Sequence, residues 1–405
     1  MKGRGKVTIV AFSMLFAVFL LIGVLLGQEG PSGEPYRPLS VLSEVLARIQ
    51  SDYVENPDFT KVTDGALHGM IESLDPYSSY LTPQEYQGYL QRQEQEASAG
   101  VMVSKRSGFV GIVGVLPGSP AQEAGLQAGD VVESLDGKST RGMSLAEVQS
   151  RLGGAAGSLV TLSVVRERAA EPKPFALIRK PVAPPQVSGG LAAPGVGLLR
   201  VQAFSPGEAE RIAARLQELR RSGAKKFILD LRDNASGEME EGVAAANLFL
   251  EKGLIGYLSG QQYPRKSFLA EADKAISTEP LAVLVNRFTG GPAEILAGAI
   301  LENHRGEVIG ERTYGIGSIQ RVIPMEDGSA LILSIARYYT PGGKEIQQEG
   351  IQPSVPMEEE RVFVPLSPDE EAEPEMEQPT RPTEDLLLKR AIELLSTAES
   401  LPEAA

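Results

Sequence analysis

The five-residue apolar run Leu281-Ala282-Val283-Leu284-Val285 does most to limit what this chain can fold into. It has no polar alternation, so it reads as a strand covered on both faces, inside a layered structure. The polar elbow Asn286-Arg287-Phe288-Thr289-Gly290-Gly291 follows it. Pro292 stands where the first helical residue belongs, because its fixed φ suits a helix start and its missing N–H is not needed there. Ala293 to Leu301 continue as a small-residue helix, Gly306 to Gly310 return as a short strand, and Gly315 to Gln320 close as a glycine-flanked turn. Strand, sharp elbow and helix together form the geometry that presents a nucleophile at a helix N-terminus. This elbow holds no serine or cysteine; Ser318 is the only serine between Leu281 and Gln320, and no lysine lies between Ala275 and Gly343.

The neighbouring segments have the same character. Val196 to Val201 and Lys226 to Leu231 read as strands, Pro206 to Ser222 and Met239 to Leu250 as helices, and Leu331 to Tyr339 as another strand. The alternation predicts an α/β core around a central sheet. Arg232, just after a buried strand, is either an ion-pair anchor or a substrate clamp.

The elbow unit, the segment Gly310-Glu311-Arg312-Thr313-Tyr314-Gly315-Ile316-Gly317-Ser318-Ile319-Gln320 and the later Tyr338-Tyr339-Thr340-Pro341 resemble the carboxyl-terminal processing peptidases, or tail-specific proteases. The resemblance runs from roughly residue 38 to residue 357. It implies a serine nucleophile in the elbow, a lysine base in the glycine-flanked turn and a glutamine four residues after the lysine. Position by position, the serine falls on Gly291 and the lysine on Ile316, while the glutamine is present as Gln320. The family's oxyanion donors would come from the residue after the serine and from a Gly-Gly pair. Here those positions hold Pro292 and, at the first glycine of the pair, Ser236.

Each change removes a function. Glycine has no side chain to attack with, isoleucine accepts no proton, and proline has no N–H to donate. Losing one oxyanion donor alone costs roughly 3–4 kcal/mol of transition-state stabilisation. Four altered elements of one mechanism imply a retained scaffold that binds protein C-terminal tails without hydrolysing them, with an active paralogue as one possible partner. Two alternatives stay open. One is an active peptidase with a displaced site, using Thr289 or Ser318 as nucleophile and Lys344 as base. The other is a structural oligomer subunit whose peptide groove is unused.

Residues 96 to 168 form a separate module. The runs Ser119-Pro120-Ala121-Gln122-Glu123-Ala124-Gly125 and Gly129-Asp130, between strands at Phe109 to Val113 and Leu159 to Val165, resemble a PDZ domain. Such a domain takes a peptide as an added strand and holds its carboxylate in a nest of backbone N–H groups. The matching loop is Ser98-Ala99-Gly100-Val101, and the groove helix is Ser144 to Leu152, with Leu145, Val148 and Leu152 as expected contacts. Pro172 to Pro185 then reads as a Pro-rich crossover into the core.

Upstream, Val41 to Tyr53 and Lys61 to Leu74 read as helices. Asp75 to Leu81 reads as a capped turn, and Thr82-Pro83-Gln84-Glu85 starts a third helix with a capping box. At the N-terminus Lys2, Arg4 and Lys6 precede an uncharged run from Val7 to Gly27. As a helix at ~1.5 Å per residue it spans roughly 30 Å, enough to cross a bilayer. The basic flank predicts an uncleaved single-pass anchor with the N-terminus in the cytoplasm and the bulk of the chain periplasmic or otherwise extracytoplasmic, a cleaved signal being the rival. From Met357 the chain turns acidic and Pro-rich and reads as a disordered linker, ending in an amphipathic helix over Asp385 to Leu395. The expected divisions are thus 1–28 for the anchor, 29–95 helical, 96–168 PDZ-like, 169–357 for the α/β core and 358–405 for the tail. The net charge of −14 suggests no nucleic-acid surface. With no cysteine there are no disulfides or thiolate metal sites. His68 and His304 have no ligand spacing around them, so neither a metal nor a cofactor is expected.

Overall fold

A computed structural model describes residues 37–93, 97–166, 171–358 and 384–397. The expected anchor at Val7 to Gly27 and most of the acidic linker lie outside these residues. Among the described residues no helix is long and apolar enough to cross a membrane. The chain divides into two units, residues 1–66 and 67–405. The first contains the helix Arg37–Asp52, which begins earlier than its apolar spacing suggested, and the start of the helix Phe59–Glu72.

The core of the second unit is a six-stranded sheet. Its order is Ser188–Ala193, Val196–Arg200, Lys226–Asp230, Leu281–Val285, Glu307–Gly310 and Val355–Pro356. All neighbours are parallel except the first pair. The central strands Lys226–Asp230 and Leu281–Val285 are buried at every position, the second by its unbroken apolar run and the first by its apolar centre Phe227-Ile228-Leu229, with the end residues paired: Lys226 Nζ donates to the Leu395 carbonyl at 2.9 Å. On one face Phe227, Leu229 and Val283 pack with Ile212 and Leu216 of the helix Glu208–Arg221 and with Leu296 of the helix Pro292–Glu302. On the other, Ile228, Leu284 and Ile309 pack with Leu387, Ala391 and Leu395 of the C-terminal helix Leu386–Thr397. The amphipathic tail helix is therefore the second covering layer, and each leucine buried there contributes about 1.5–3 kcal/mol. Asp385 begins that helix by accepting the Leu388 N–H at 3.0 Å. Its carboxylate also meets Arg232 at 2.7 Å, and Arg232 forks onto Asp230 as well. Of the two roles open to Arg232, the structural one is realised.

A second, antiparallel sheet centres on Ala330–Tyr339, flanked by Ser318–Pro324, Leu254–Ser259 and Ser79–Leu81. Two expectations need correction here. The segment Asp75 to Leu81 is a turn only up to Ser78; Ser79–Leu81 pairs with Ala330–Ile332 as a strand. Asp75 Oδ1 accepts the N–H groups of Tyr77 and Ser78, each at 2.8 Å, and the Ser334 hydroxyl at 3.1 Å, which ties the turn to the sheet. Likewise Ser318 to Gln320 start a strand instead of finishing a turn, since their amides find partners in the long Ala330–Tyr339 strand. The capping box at Thr82 is present, with Glu85 Oε2 accepting the Thr82 N–H at 2.8 Å.

The PDZ-like module is a sheet in the order Val101–Arg106, Phe109–Val115, Val131–Leu135, Leu159–Val165 and Lys173–Ile178. Its last strand was expected to cross into the core. Instead it pairs along its whole length with Leu159–Val165, so the module's sheet runs past residue 168. The alternation that buries Val160, Leu162 and Val164 gives that strand one polar face and one core face.

Candidate functional site

Three loops meet at the carboxyl ends of the parallel strands, the usual place for a site in an open α/β sheet. They are residues 231–237, 286–291 and 311–317, and they are joined by backbone bonds. The Gly290 N–H donates to the Asn234 carbonyl at 2.8 Å, and the Tyr314 N–H to the Thr289 carbonyl at 2.8 Å. Asn286 reinforces the joint, its Oδ1 accepting the Asp233 N–H at 3.1 Å and its Nδ2 donating to Asp233 Oδ1 at 3.0 Å.

Gly291 is the N-cap of the helix Pro292–Glu302, with φ 60° and ψ −123°. That backbone conformation is sparsely populated and nearly restricted to glycine. Its N–H donates to Glu294 Oε2 at 2.8 Å. The same carboxylate accepts the N–H groups of Gly315 and Ile316, each at 2.7 Å, and the Thr313 hydroxyl. Glu294 is fully buried. Burial pushes its carboxyl up to about 7, against four donors that pull the other way. This one side chain thus holds the elbow and the glycine-flanked loop in register. The sequence reading missed it, although a lone carboxylate inside an otherwise apolar helix was a signal.

The four altered positions lie on these three loops and at the helix start that follows the elbow. Ile316 lies over the elbow: a Cβ on Gly290 would stand 3.0 Å from both Ile316 Cδ1 and Ala235 Cβ. Pro292 follows Gly291 as the first residue of the helix. The Ser236 N–H faces Asn234 Oδ1 at 3.4 Å, and its carbonyl accepts the Phe204 N–H at 2.8 Å. Gln320 stands apart and exposed, its Nε2 donating to the hydroxyls of Ser318 at 2.9 Å and Ser334 at 3.2 Å. The groups proposed for a displaced site are engaged elsewhere. Thr289 is buried, with its hydroxyl donating to the Leu231 carbonyl at 2.9 Å and accepting the Asn286 N–H at 3.0 Å. Lys344 is exposed on another cavity, 3.3 Å from Glu302.

The module roofs this centre. Phe288 of the elbow packs against Gly129, where a Cβ would come within 3.2 Å of its ring. Arg106 donates to the Tyr314 carbonyl at 2.8 Å and stacks over the Tyr314 ring. Between module and core lies a cavity of about 610 Å³. Ser98, Val101, Met102, Gln149 and Leu152 line it from the module, and Ala235, Ser236, Gly237 and Ile316 from the core. The expected carboxylate loop and two of the altered positions, Ser236 and Ile316, therefore border one space. Of the three expected groove contacts only Leu152 lines it. Leu145 and Val148 are buried in the module core with Val110 and Leu162, and Leu152, on the same stripe of the helix Leu145–Leu152, belongs to that core while also bordering the cavity. In the expected carboxylate loop, Ala99 is fully buried. Its N–H donates to the Leu152 carbonyl at 3.0 Å, and the Gly100 N–H donates to Ser98 Oγ at 3.2 Å.

Comparison with known proteins accounts for this arrangement. Residues 195–357 match the Peptidase family S41 model, 111–166 a PDZ domain model and 28–84 the model of the activating protease CtpB N-terminal domain. The carboxy-terminal processing protease CtpA of Bacillus subtilis is 32% identical over 344 residues, 82% of this chain and 72% of that protein. The carboxyl-terminal-processing protease of Synechocystis sp. is 34% identical over 321 residues, covering 77% of this chain and 75% of that protein. Among solved structures, the photosystem II D1 C-terminal processing protease superposes with a TM-score of 0.65 at 28% identity, over 78% of this chain and 92% of its own. With its peptidase core, its PDZ domain and the loops that meet between them all matched, the chain belongs to the carboxyl-terminal processing protease family.

Proposed function

We propose that this chain is a peptide-binding member of the family that does not hydrolyse what it binds, protein C-terminal tails among its ligands. One observation carries the reading. The elbow keeps the backbone of a nucleophile turn, yet glycine stands at the nucleophile and isoleucine at the base, and the cavity beside Ile316 offers the Ser98 and Ser236 hydroxyls but, among the described residues, no lysine, histidine, aspartate or glutamate to activate them. A serine would need a neighbouring group to take its proton, and the space where a lysine would lie is filled with apolar carbon. Pro292 removes one oxyanion donor, and the Ser236 N–H is turned to Asn234. The charge pattern of Lys2, Arg4 and Lys6 before Val7 to Gly27 supports an anchored chain with its bulk on the extracytoplasmic side.

The test is hydrolysis of an unstructured protein substrate by the purified protein, beside a Thr289→Ala, Ser318→Ala variant. Absence of cleavage above background in a folded sample is the expected outcome. Cleavage that the double substitution abolishes would overturn the proposal and restore the displaced-nucleophile alternative.

A further inference from the structure

We infer that a second cavity, of about 500 Å³, between the module's first hairpin and the core is a binding site for a soluble oxyanion of the polyphosphate class. This goes beyond the peptide-binding reading and does not depend on it, since the cavity shares only Tyr77 with the one at the altered centre.

Two independent observations carry the inference. The first is the charge of the lining. Lys105 and Arg106 line the cavity from the module, Arg287 and Arg312 from the core, and among the described residues no aspartate or glutamate lines it. The chain as a whole carries a net charge of −14, so four cations around one hollow run against its average. Like charges sharing a concave, partly desolvated space repel one another and focus a positive field into it. An anion with several charges relieves that repulsion, and a neutral ligand does not.

The second observation is how the arginines are held. Arg106 donates to the Tyr314 carbonyl at 2.8 Å and lies 4.6 Å over the centre of the Tyr314 ring. Among the described residues it meets no carboxylate. Arg312 donates to the carbonyls of Glu349 and, at 3.3 Å, Gln348. Carbonyl oxygens and a ring face orient a guanidinium without neutralising it. Three carboxylates stand near the cations but outside the lining. Glu72 pairs with Lys105 at 2.9 Å, which makes Lys105 a wall more than a contact group. Glu349 approaches Arg312 at 3.3 Å, but both side chains are more than half exposed, so water screens the pair. Glu311 accepts the Arg287 N–H at 3.2 Å.

The chemistry of the lining selects the ligand class. An arginine fork engages phosphoryl oxygens in pairs, and three forks exceed what one carboxylate can occupy. A space of about 500 Å³ suits a small molecule more than a lone ion, which favours linked phosphoryl groups. Arg106 belongs to the module and Arg287 and Arg312 to the core, so the bound anion would tie one to the other.

The experiment uses the full-length protein and isothermal titration calorimetry at constant ionic strength, with inorganic tripolyphosphate as the probe. Sulfate and citrate are the comparison anions, and soluble glycerophosphoglycerol stands in for a lipid headgroup. Tripolyphosphate is expected to bind about tenfold or more tightly than any of the three and to raise the melting temperature. Arg106→Gln and Arg312→Gln should each weaken it about tenfold. Arg390→Gln, which removes a charge outside the lining, should leave binding unchanged. Among the described residues Arg312 bonds only within the core, so its variant keeps the module contact that Arg106→Gln loses. Citrate that binds as tightly as tripolyphosphate would overturn the phosphate assignment, and tighter binding of the headgroup would overturn the soluble source. Folded lining variants that bind like the wild type, or a folded wild type that binds no tripolyphosphate, would overturn the site itself. None of these outcomes bears on tail binding or on hydrolysis.

Discussion

Placing a side chain at Gly291 is expected to destabilise the protein before it does anything for catalysis. The residue sits at φ 60° and ψ −123°, which charges an L-residue about 1–3 kcal/mol of backbone strain. Room is not the obstacle, since a Cβ there would meet only Met239 Cε, at 3.7 Å. Gly291→Ala and Gly291→Ser should therefore lose the same amount, about 1–3 kcal/mol, and shift the melting temperature down by about 2–4 °C per kcal/mol. The elbow cannot relax to avoid the strain, because its N–H is tied to the buried Glu294, which also anchors the loop at Gly315 and Ile316. Urea unfolding of the two variants beside the wild type measures the loss directly. If Gly291→Ala matches the wild type within about 0.5 kcal/mol, the elbow is free to rearrange and the strain reasoning is refuted. Equal losses for alanine and serine would locate the penalty in the backbone.

Stepwise repair should follow the same logic: Gly291→Ser with Ile316→Lys restores little hydrolysis, and adding Pro292→Ala raises the rate about 100-fold by returning a donor worth roughly 3 kcal/mol. Strong hydrolysis by the two-site variant alone would show that the oxyanion reasoning is wrong. Burial pushes the Glu294 carboxyl up to about 7 in the folded protein, above its ordinary value of 4.5, so the native protein holds the extra proton between those values. Stability should accordingly fall as pH rises from about 4.5 to 7, by roughly 3 kcal/mol, and Glu294→Gln should flatten that dependence in urea titrations. Gly290→Ala crowds Ile316 and Ala235 at 3.0 Å and should cost about 1 kcal/mol, recovered in the Gly290→Ala, Ile316→Val double variant; additive losses would contradict the packing. Ending the chain before Asp385 uncovers Ile228, Leu284 and Ile309, so the shortened protein should bind a hydrophobic dye and self-associate, whereas a monomer that binds no dye would mean the tail helix is dispensable.

Much of this protein was legible in the chain itself. The apolar runs Phe227 to Leu229 and Leu281 to Val285 specify strands buried on both faces, because alternation is what exposes a strand to water. The altered centre is largely a matter of residue identity: Gly291, Ile316 and Pro292 lack the needed groups in any conformation, whereas Ser236 keeps its N–H and only the fold turns it to Asn234. Other features depended on long-range pairing that local patterns do not encode. Ser79–Leu81 is a strand only because Ala330–Tyr339 lies beside it, and Lys173–Ile178 joins the module only because Leu159–Val165 offers an edge. Leu145, Val148 and Leu152 share one helix stripe buried in the module core, and only Leu152, at the helix end, also reaches the cavity. Glu294 gathers donors from Gly291, Thr313, Gly315 and Ile316, and Ser98 and Leu152 of the module share one cavity with Ser236 and Ile316 because the module folds back over the elbow. Composition and spacing fix which chemical groups a chain has; which of them face one another is settled only when distant segments pack.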